Sequence, residues 1–433
     1  MSLPGVIAID PLECLPEADV VVPGSKSITN RAMIRAVLRD GKTALRGALW
    51  SDDTRVMVAC LRELGYRIEV LADPTESSNR TLVVEGQGGH VPAGGVEGTP
   101  RELFVGNAGT AARFLLAFLC LGTGVYRLSG VDRMHERPQA GLLTALGQLG
   151  YRVEAPGGRL PALIHGGGAR GGDCEVDIAE SSQFASALLL AAEEGGWKVG
   201  FRGAGGASSP YVRMTSELIS AMRSAGDDFQ IEPDASSGSY FWGLNGLGLP
   251  PSARTGEELR SQAVQVQNWP DSGWQIDAEF PRFLNVRGEL SRERDLGDSI
   301  MTAVVLAAVG NGPRRFTELG RLRVQECERV EALRTELERC GIDVVEEGDS
   351  LTVTPGPLRP AVINTYDDHR MAMCFTLLGL KAAGIRIADP SCVKKTFPNF
   401  FQKLALPAPF GVGAVLRDGE SGQILADADL VAT

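Results

Sequence analysis

The chain has 433 residues, 43% of them hydrophobic and 22% charged, which is too long for a single hydrophobic core and too apolar for a disordered polymer, so two or three domains are expected. A formal net charge of −11 excludes a broad nucleic-acid-binding surface, which needs net positive charge, and still allows a locally cationic cleft. No run reaches the roughly 18 apolar residues of a membrane span, the start lacks the basic-then-apolar order of a secretion signal, and the cysteines form no C-x-x-C pair or zinc spacing. Reduced thiols, a cytoplasmic location, and no metal, membrane or nucleic-acid partner are therefore expected.

In chain order, the first dense cluster of donors is "VVPGSKSITNRAM" (21–33), with Lys26, Ser27, Thr29, Asn30 and Arg31 behind a Pro-Gly turn. No G-x-x-x-x-G-K-[ST] frame fits it. Two readings stand: a helix N-cap with a solvated first turn, or an anion site helped by a helix beginning near Thr29. "LRELGYRIEV" (61–70) then leads to "TLVVEGQGG" (81–89), "LGQLGYRVEA" (146–155) to "ALIHGGG" (162–168), and "LRTELERCGIDVVEEGDSLTVTPG" (333–356) repeats the theme, with "ISAMRSAGDDFQIEP" (219–233) a weaker copy. Each reads as an amphipathic helix, a terminating glycine, a strand, a turn and a second strand, a supersecondary unit repeated along an α/β chain.

Between these copies lie further donor-rich turns. "VGNAGTAARFLL" (105–116) is a glycine-bearing turn entering an apolar helix, with Thr110 expected as its cap. "VDRMHERPQ" (131–139) sets Arg133 and Arg137 around a turn. "ESSQFASALLLAA" (180–192) places Ser181, Ser182 and Gln183 before another apolar helix, and "SSPYVRMT" (208–215) adds Ser208 and Tyr211. The small, glycine- and proline-rich stretch from 234 reads as a boundary or hinge, and 253–296 gives no firm secondary structure. "RLRVQECERVEAL" (321–333) carries Glu326 and Arg329, "YDDHRMAMCF" (366–375) carries Arg370, and "KKTFPNF" (394–400) carries Lys395. Singly, each is as well explained by a capped helix or a surface loop. Together, many cations with few metal ligands suit a substrate bearing phosphates and carboxylates.

"PGSKSITNRA", "GNAGTAARF", "RMHERP", "SSQF", "YDDHRMAM" and "KTFPNF" resemble, in order, the signature segments of the 5-enolpyruvylshikimate-3-phosphate (EPSP) synthase family, from about residue 20 to 402. The resemblance implies two domains built from repeated βαβαββ units. One would be residues 1–20 plus 241–433 and the other the inserted 21–240, with a hinge near 21–23 and 236–241 that closes on ligand. It also implies a monomer without metal or organic cofactor. The implied reaction moves the enolpyruvyl group of phosphoenolpyruvate to the 5-hydroxyl of shikimate 3-phosphate.

By the same resemblance Lys26 lies between the substrates, Ser27 and Arg31 hold the shikimate carboxylate, and Ser181, Ser182, Ser208 and Tyr211 bind shikimate 3-phosphate. Gln183 bridges toward phosphoenolpyruvate. Gly109, Arg133 and Lys395 surround the phosphoenolpyruvate phosphate, and Arg329 and Arg370 its carboxylate. Asp298 in "LGDSIMTAVVLAA" matches the family's carboxylate beside the attacking hydroxyl, binding shikimate 3-phosphate there, and Glu326 a proton-transfer glutamate, with Lys26 the third catalytic residue that the resemblance implies. Glyphosate occupies the phosphoenolpyruvate site in this family, where side-chain-free Gly109 leaves it room. Three departures stand out. Gln325, in the acceptor-binding segment, replaces a usual lysine, Arg321 a common asparagine, and Phe114 a proline. Residues 241–297 match poorly and are expected only to be strand-rich. Two other functions fit the same motifs less closely: enolpyruvyl transfer to another hydroxyl acceptor, and a catalytically silent ligand-binding paralogue.

Overall fold

A computed structural model describes residues 3–203, 205–252, 262–284 and 288–433. The chain divides into two compact units, one comprising Met1–Pro23, Pro233–Asp271 and Ile276–Thr433, the other Gly24–Glu232 and Ser272–Gln275. Each has its own buried hydrophobic core.

One sheet pattern, a parallel pair followed by two antiparallel neighbours, occurs four times among the described residues. In the second unit Asp228–Gln230 lies parallel to Asp40–Leu49, followed by Asn79–Gln87 and Arg67–Ala72. Arg101–Phe104 is likewise parallel to Thr123–Ser129, followed by Ala162–Gly167 and Arg152–Glu154. In the first unit the sets are Gly288–Ser291 with Arg314–Thr317, Ser350–Thr354 and Asp343–Glu347, and Ala361–Ile363 with Ile385–Ala388, Val6–Ile9 and Leu416–Asp418. The parallel pairs require crossover helices, which cover the sheets and form the cores. The helix Gly109–Cys120 is buried along its whole length, and His369–Lys381 is buried from His369 through Leu380. Helices apolar on every side belong inside a core.

The glycine ending each repeated helix has a physical cause. Gly65, Gly150, Gly226 and Gly341 follow the helices Asp52–Glu63, Ala140–Gln148, Pro210–Ser224 and Arg329–Arg339, and all four have positive φ. That left-handed conformation closes a helix and is strained for residues with a Cβ. Three copies continue into two strands as expected. The fourth supplies only Asp228–Gln230 and then enters a new helix.

That helix, Ala235–Leu244, occupies the stretch anticipated as a hinge at 236–241. Its Tyr240, Phe241 and Leu244 belong to the first unit's core. The small residues there serve close packing: a Cβ on Gly238 would fall 2.3 Å from the Trp269 ring, and Ser239 Oγ meets Thr302 Oγ1 at 2.8 Å. Two expected helix starts also move. Ser25, not Thr29, precedes the helix Lys26–Leu38, its side chain accepting from the Ile28 N–H, and Ala108, not Thr110, precedes Gly109–Cys120. The region 241–297 is less strand-rich than expected, with strands only at Val264–Val266 and Gly288–Ser291 among its described residues. Residues 253–261 and 285–287 lie outside the described residues.

Candidate active site

The predicted residues fall into two groups, one on each unit. In the second unit Arg31 sits one turn into the helix Lys26–Leu38 and is only 1% exposed. Its Nε donates to Thr215 Oγ1 at 2.8 Å, one Nη to Ser186 Oγ at 2.9 Å, and the other to the Ser27 carbonyl at 2.9 Å. Its guanidinium lies 5.1 Å from the centre of the Phe114 ring, so the phenylalanine that departs from the family's proline gives the cation a π face. Every partner of Arg31 among the described residues is neutral. Burial accordingly pulls its pKa down to about 10, partly offset by Tyr211.

Lys26 opens the same helix and pairs with buried Asp53 across 3.2 Å. Gly109 begins the helix Gly109–Cys120, and a Cβ there would lie 2.6 Å from the Arg137 guanidinium. Arg137 is buried and donates to Asn107, with no carboxylate partner among the described residues. Arg133, half-exposed, pairs with Glu136 at 2.6 Å. Gln183 begins the helix Gln183–Gly195 and accepts from Arg113 at 2.7 Å, while its amide faces Thr110 Oγ1 at 3.4 Å. Ser182 is the buried residue before this helix, and Ser181 Oγ accepts from the Gln183 N–H. Ser208 ends the short turn Gly206–Ser208 and stays exposed; Tyr211 follows in the next helix, its carbonyl accepting from Thr215 and Ser186, the hydroxyls that also meet Arg31.

In the first unit the site arginines are charge-paired. Arg329 is 1% exposed, with Nε 2.6 Å from Asp368 and Nη2 2.8 Å from Glu326. Tyr366 and Asp367, both at positive φ, set Asp368 as the cap of the helix His369–Lys381, a strained turn of the sort found at functional sites. Arg370 meets Asp298 at 3.3 Å and donates to Ser236 Oγ. Asp298 is also held by Arg292 at 2.8 Å. Burial raises the Asp298 pKa, but Arg370, Arg292 and Arg329 outweigh it and leave the carboxyl well below the ordinary range. Lys395 is buried at the end of the turn Pro390–Lys395.

Gln325 has non-helical backbone, follows the 3₁₀ turn Gly320–Val324, and accepts from Arg329 through its amide oxygen. Arg321 pairs with Glu293 at 3.3 Å. Sequence reasoning missed Asp53, Arg113, Ser186, Thr215, Asp277, Arg292 and Asp368. Arg113, Ser186, Thr215 and Asp368 lay inside quoted motifs, whereas Asp277 and Arg292 fall in the stretch without a recognisable pattern. Among the described residues no cluster of three or more His, Cys, Asp or Glu could hold a metal, and no helix is long and apolar enough to cross a membrane.

The EPSP synthase (3-phosphoshikimate 1-carboxyvinyltransferase) family model matches residues 16–225 and 263–404. Among relatives, the 3-phosphoshikimate 1-carboxyvinyltransferase of Pseudomonas syringae pv. syringae is 40% identical over 412 residues, spanning 88% of this chain and 93% of that protein. The protein of the same name from Trichormus variabilis is 35% identical over 427 residues, spanning 92% and 98%. In fold the chain is similar to EPSP synthase from Acinetobacter baumannii, with TM-score 0.66 at 21% identity over 95% of this chain and 99% of that one. An enolpyruvyl transferase from Streptomyces tendae also gives 0.66, at 16% identity over 96% and 99%. By the family match and these relatives, the chain belongs to the EPSP synthase family.

Proposed function

We propose that this protein transfers the enolpyruvyl group of phosphoenolpyruvate to the 5-hydroxyl of shikimate 3-phosphate and releases inorganic phosphate, acting as a monomer in the cytoplasm. Addition forms a bond from the hydroxyl oxygen to C2 of phosphoenolpyruvate while a proton joins C3. Elimination then removes a C3 proton and expels phosphate, restoring the double bond. Such a sequence needs a base at the hydroxyl and a group that gives and retakes a proton at carbon.

Arg31 and Ser27 hold the shikimate carboxylate, and Ser181, Ser182, Ser208 and Tyr211 the rest of shikimate 3-phosphate. Lys26, Gly109, Arg133 and Lys395 take the phosphate of phosphoenolpyruvate, with Gln183 facing both substrates. Arg329 and Arg370 take its carboxylate, Asp298 serves the 5-hydroxyl, and Glu326 serves C3.

The observation that most supports this reading is Asp298 in contact with Arg370. A carboxylate held so acidic is a poor base. A substrate carboxylate that shares Arg370 weakens this grip, and Asp298 gains basicity when the reactant is bound. The test is to supply purified protein with both substrates and follow phosphate release and product by ³¹P and ¹H NMR. One phosphate per enolpyruvyl ether formed, and rescue of an aromatic-amino-acid auxotroph, are expected. Phosphate release with a nucleotide-sugar acceptor instead, or binding without turnover, would overturn the proposal.

A further inference from the structure

Asp277 lies in the 3₁₀ turn Ile276–Glu279 and is 6% exposed. One carboxylate oxygen accepts the backbone N–H of Ser299 at 2.8 Å. The other lies 2.9 Å from where a Cβ on Gly297 would fall, and 2.9 Å is closer than a real methyl tolerates. The carboxylate thus holds Ser299, after Asp298, by a hydrogen bond, and lies beside Gly297, before it, closely enough to exclude a side chain there. Asp298 in turn reaches Arg292 at 2.8 Å and Arg370 at 3.3 Å with its two oxygens. Ser299 is fully buried and precedes the buried helix Ile300–Leu306, so that side of the turn is fixed by packing.

We propose that Asp277 is a positioning residue for enolpyruvyl transfer: it clamps the Gly297–Asp298–Ser299 turn and so fixes the direction in which the Asp298 carboxylate points. The inference rests on the role given to Asp298 above. The arrangement is costly, because a second buried carboxyl stands beside Asp298. Burial, and then the charge of Asp298, push the Asp277 pKa above its ordinary value. A serine or asparagine could cap the same N–H without a charge. The short, buried reach of aspartate is accounted for if both sides of the turn must be held. A displacement of about 1 Å at a reacting group can cost on the order of 100-fold in rate.

The test compares Asp277→Ala with Asp277→Asn, which keeps a carbonyl oxygen for the Ser299 N–H. Hydrogen exchange at the Ser299 amide should quicken at least about 10-fold in the alanine variant and stay within about 3-fold of wild type in the asparagine variant. Turnover should fall about 30-fold for alanine with KM for both substrates within about 3-fold, and asparagine should recover to within about 5-fold of wild type. Should the alanine variant be too unstable to assay, Gly297→Ala presses on the same carboxylate, and on the Ile276 side chain before it, and must reproduce the exchange and turnover changes. Unchanged kcat with only a lower melting temperature, a KM effect alone, or an asparagine variant as impaired as alanine would overturn the clamp. If the wild type performs no enolpyruvyl transfer, the proposed reaction fails, and the exchange measurement still decides whether Asp277 holds the turn.

Discussion

The two groups of site cations solve opposite problems. In the second unit Arg31 and Arg137 are buried against hydroxyls, carbonyls and an aromatic ring, with no carboxylate partner among the described residues. In the first unit Arg329 and Arg370 lie against Asp368, Glu326 and Asp298. A buried cation among neutral acceptors has paid its desolvation and still lacks a counter-charge, so an arriving anion adds a partner. A buried cation already paired gains less from an arriving anion, which must share it with an internal carboxylate and so loosens that pair. On the proposed assignment, the second unit chiefly binds and the first exchanges partners during chemistry. Lys26 and Arg133 are the second unit's exceptions, held by Asp53 at 3.2 Å and by Glu136 at 2.6 Å.

The contrast can be broken most forcefully at the carboxylates. Asp298→Ala and Glu326→Ala should each lower kcat at least about 100-fold, as expected for lost acid–base groups, when steady-state rates are measured at saturating substrates. An effect confined to KM would make them binding groups and erase the distinction between the units.

Gly109→Ala probes the second unit. A methyl there would lie 2.6 Å from the Arg137 guanidinium, so that cation or the helix start must move. If phosphoenolpyruvate and glyphosate share this place, glyphosate should compete with phosphoenolpyruvate, and the substitution should raise its inhibition constant about 10-fold or more, from overpacking of 1–3 kcal/mol. Wild-type indifference to millimolar glyphosate would remove the inhibitor from this turn.

Gln325→Ala should matter less, below about 10-fold in kcat, because a neutral amide contributes a hydrogen bond and no proton. Its partner Arg329 keeps Asp368 and Glu326. Loss comparable to the Asp298 variant would give the glutamine a role beyond orienting Arg329.

The smallest expected effect is one of pH. Asp277 has a raised folded pKa, so between the ordinary carboxylate value near 4 and that higher value the folded state binds more protons than the unfolded state. Stability contributed by the protonated carboxyl is therefore present below about pH 4 and lost as pH rises through the folded pKa. Asp277→Asn should gain melting temperature relative to wild type on going from pH 4 to pH 7. A difference independent of pH, followed by differential scanning calorimetry, would mean the group does not titrate there.

Much of this was legible in the chain because the signals were local. A glycine closing a helix is dictated by backbone conformation within one turn, so the repeats at Gly65, Gly150 and Gly341 could be read directly. The cations Arg31, Arg329 and Arg370 stood inside compact motifs. Their partners were not legible, because Asp53 for Lys26, Asp277 for the Ser299 N–H, and Thr215 and Ser186 for Arg31 are chosen by packing between distant segments. The helix found at the expected hinge stretch has a similar origin. A run of small residues from 235 suggests a loop by composition, yet it is small because Trp269 and Thr302 press against the helix it forms.

The difference between the units is tested most directly by titrating shikimate 3-phosphate alone into wild type, Arg31→Ala and Asp298→Ala in a calorimeter. Removing Arg31 should weaken binding about 10- to 100-fold, the scale of a lost charge-assisted pair. Removing Asp298 should leave affinity within about 3-fold while turnover collapses. Equal weakening by both substitutions, or none from Arg31→Ala, would contradict the division between a unit that binds and a unit that reacts.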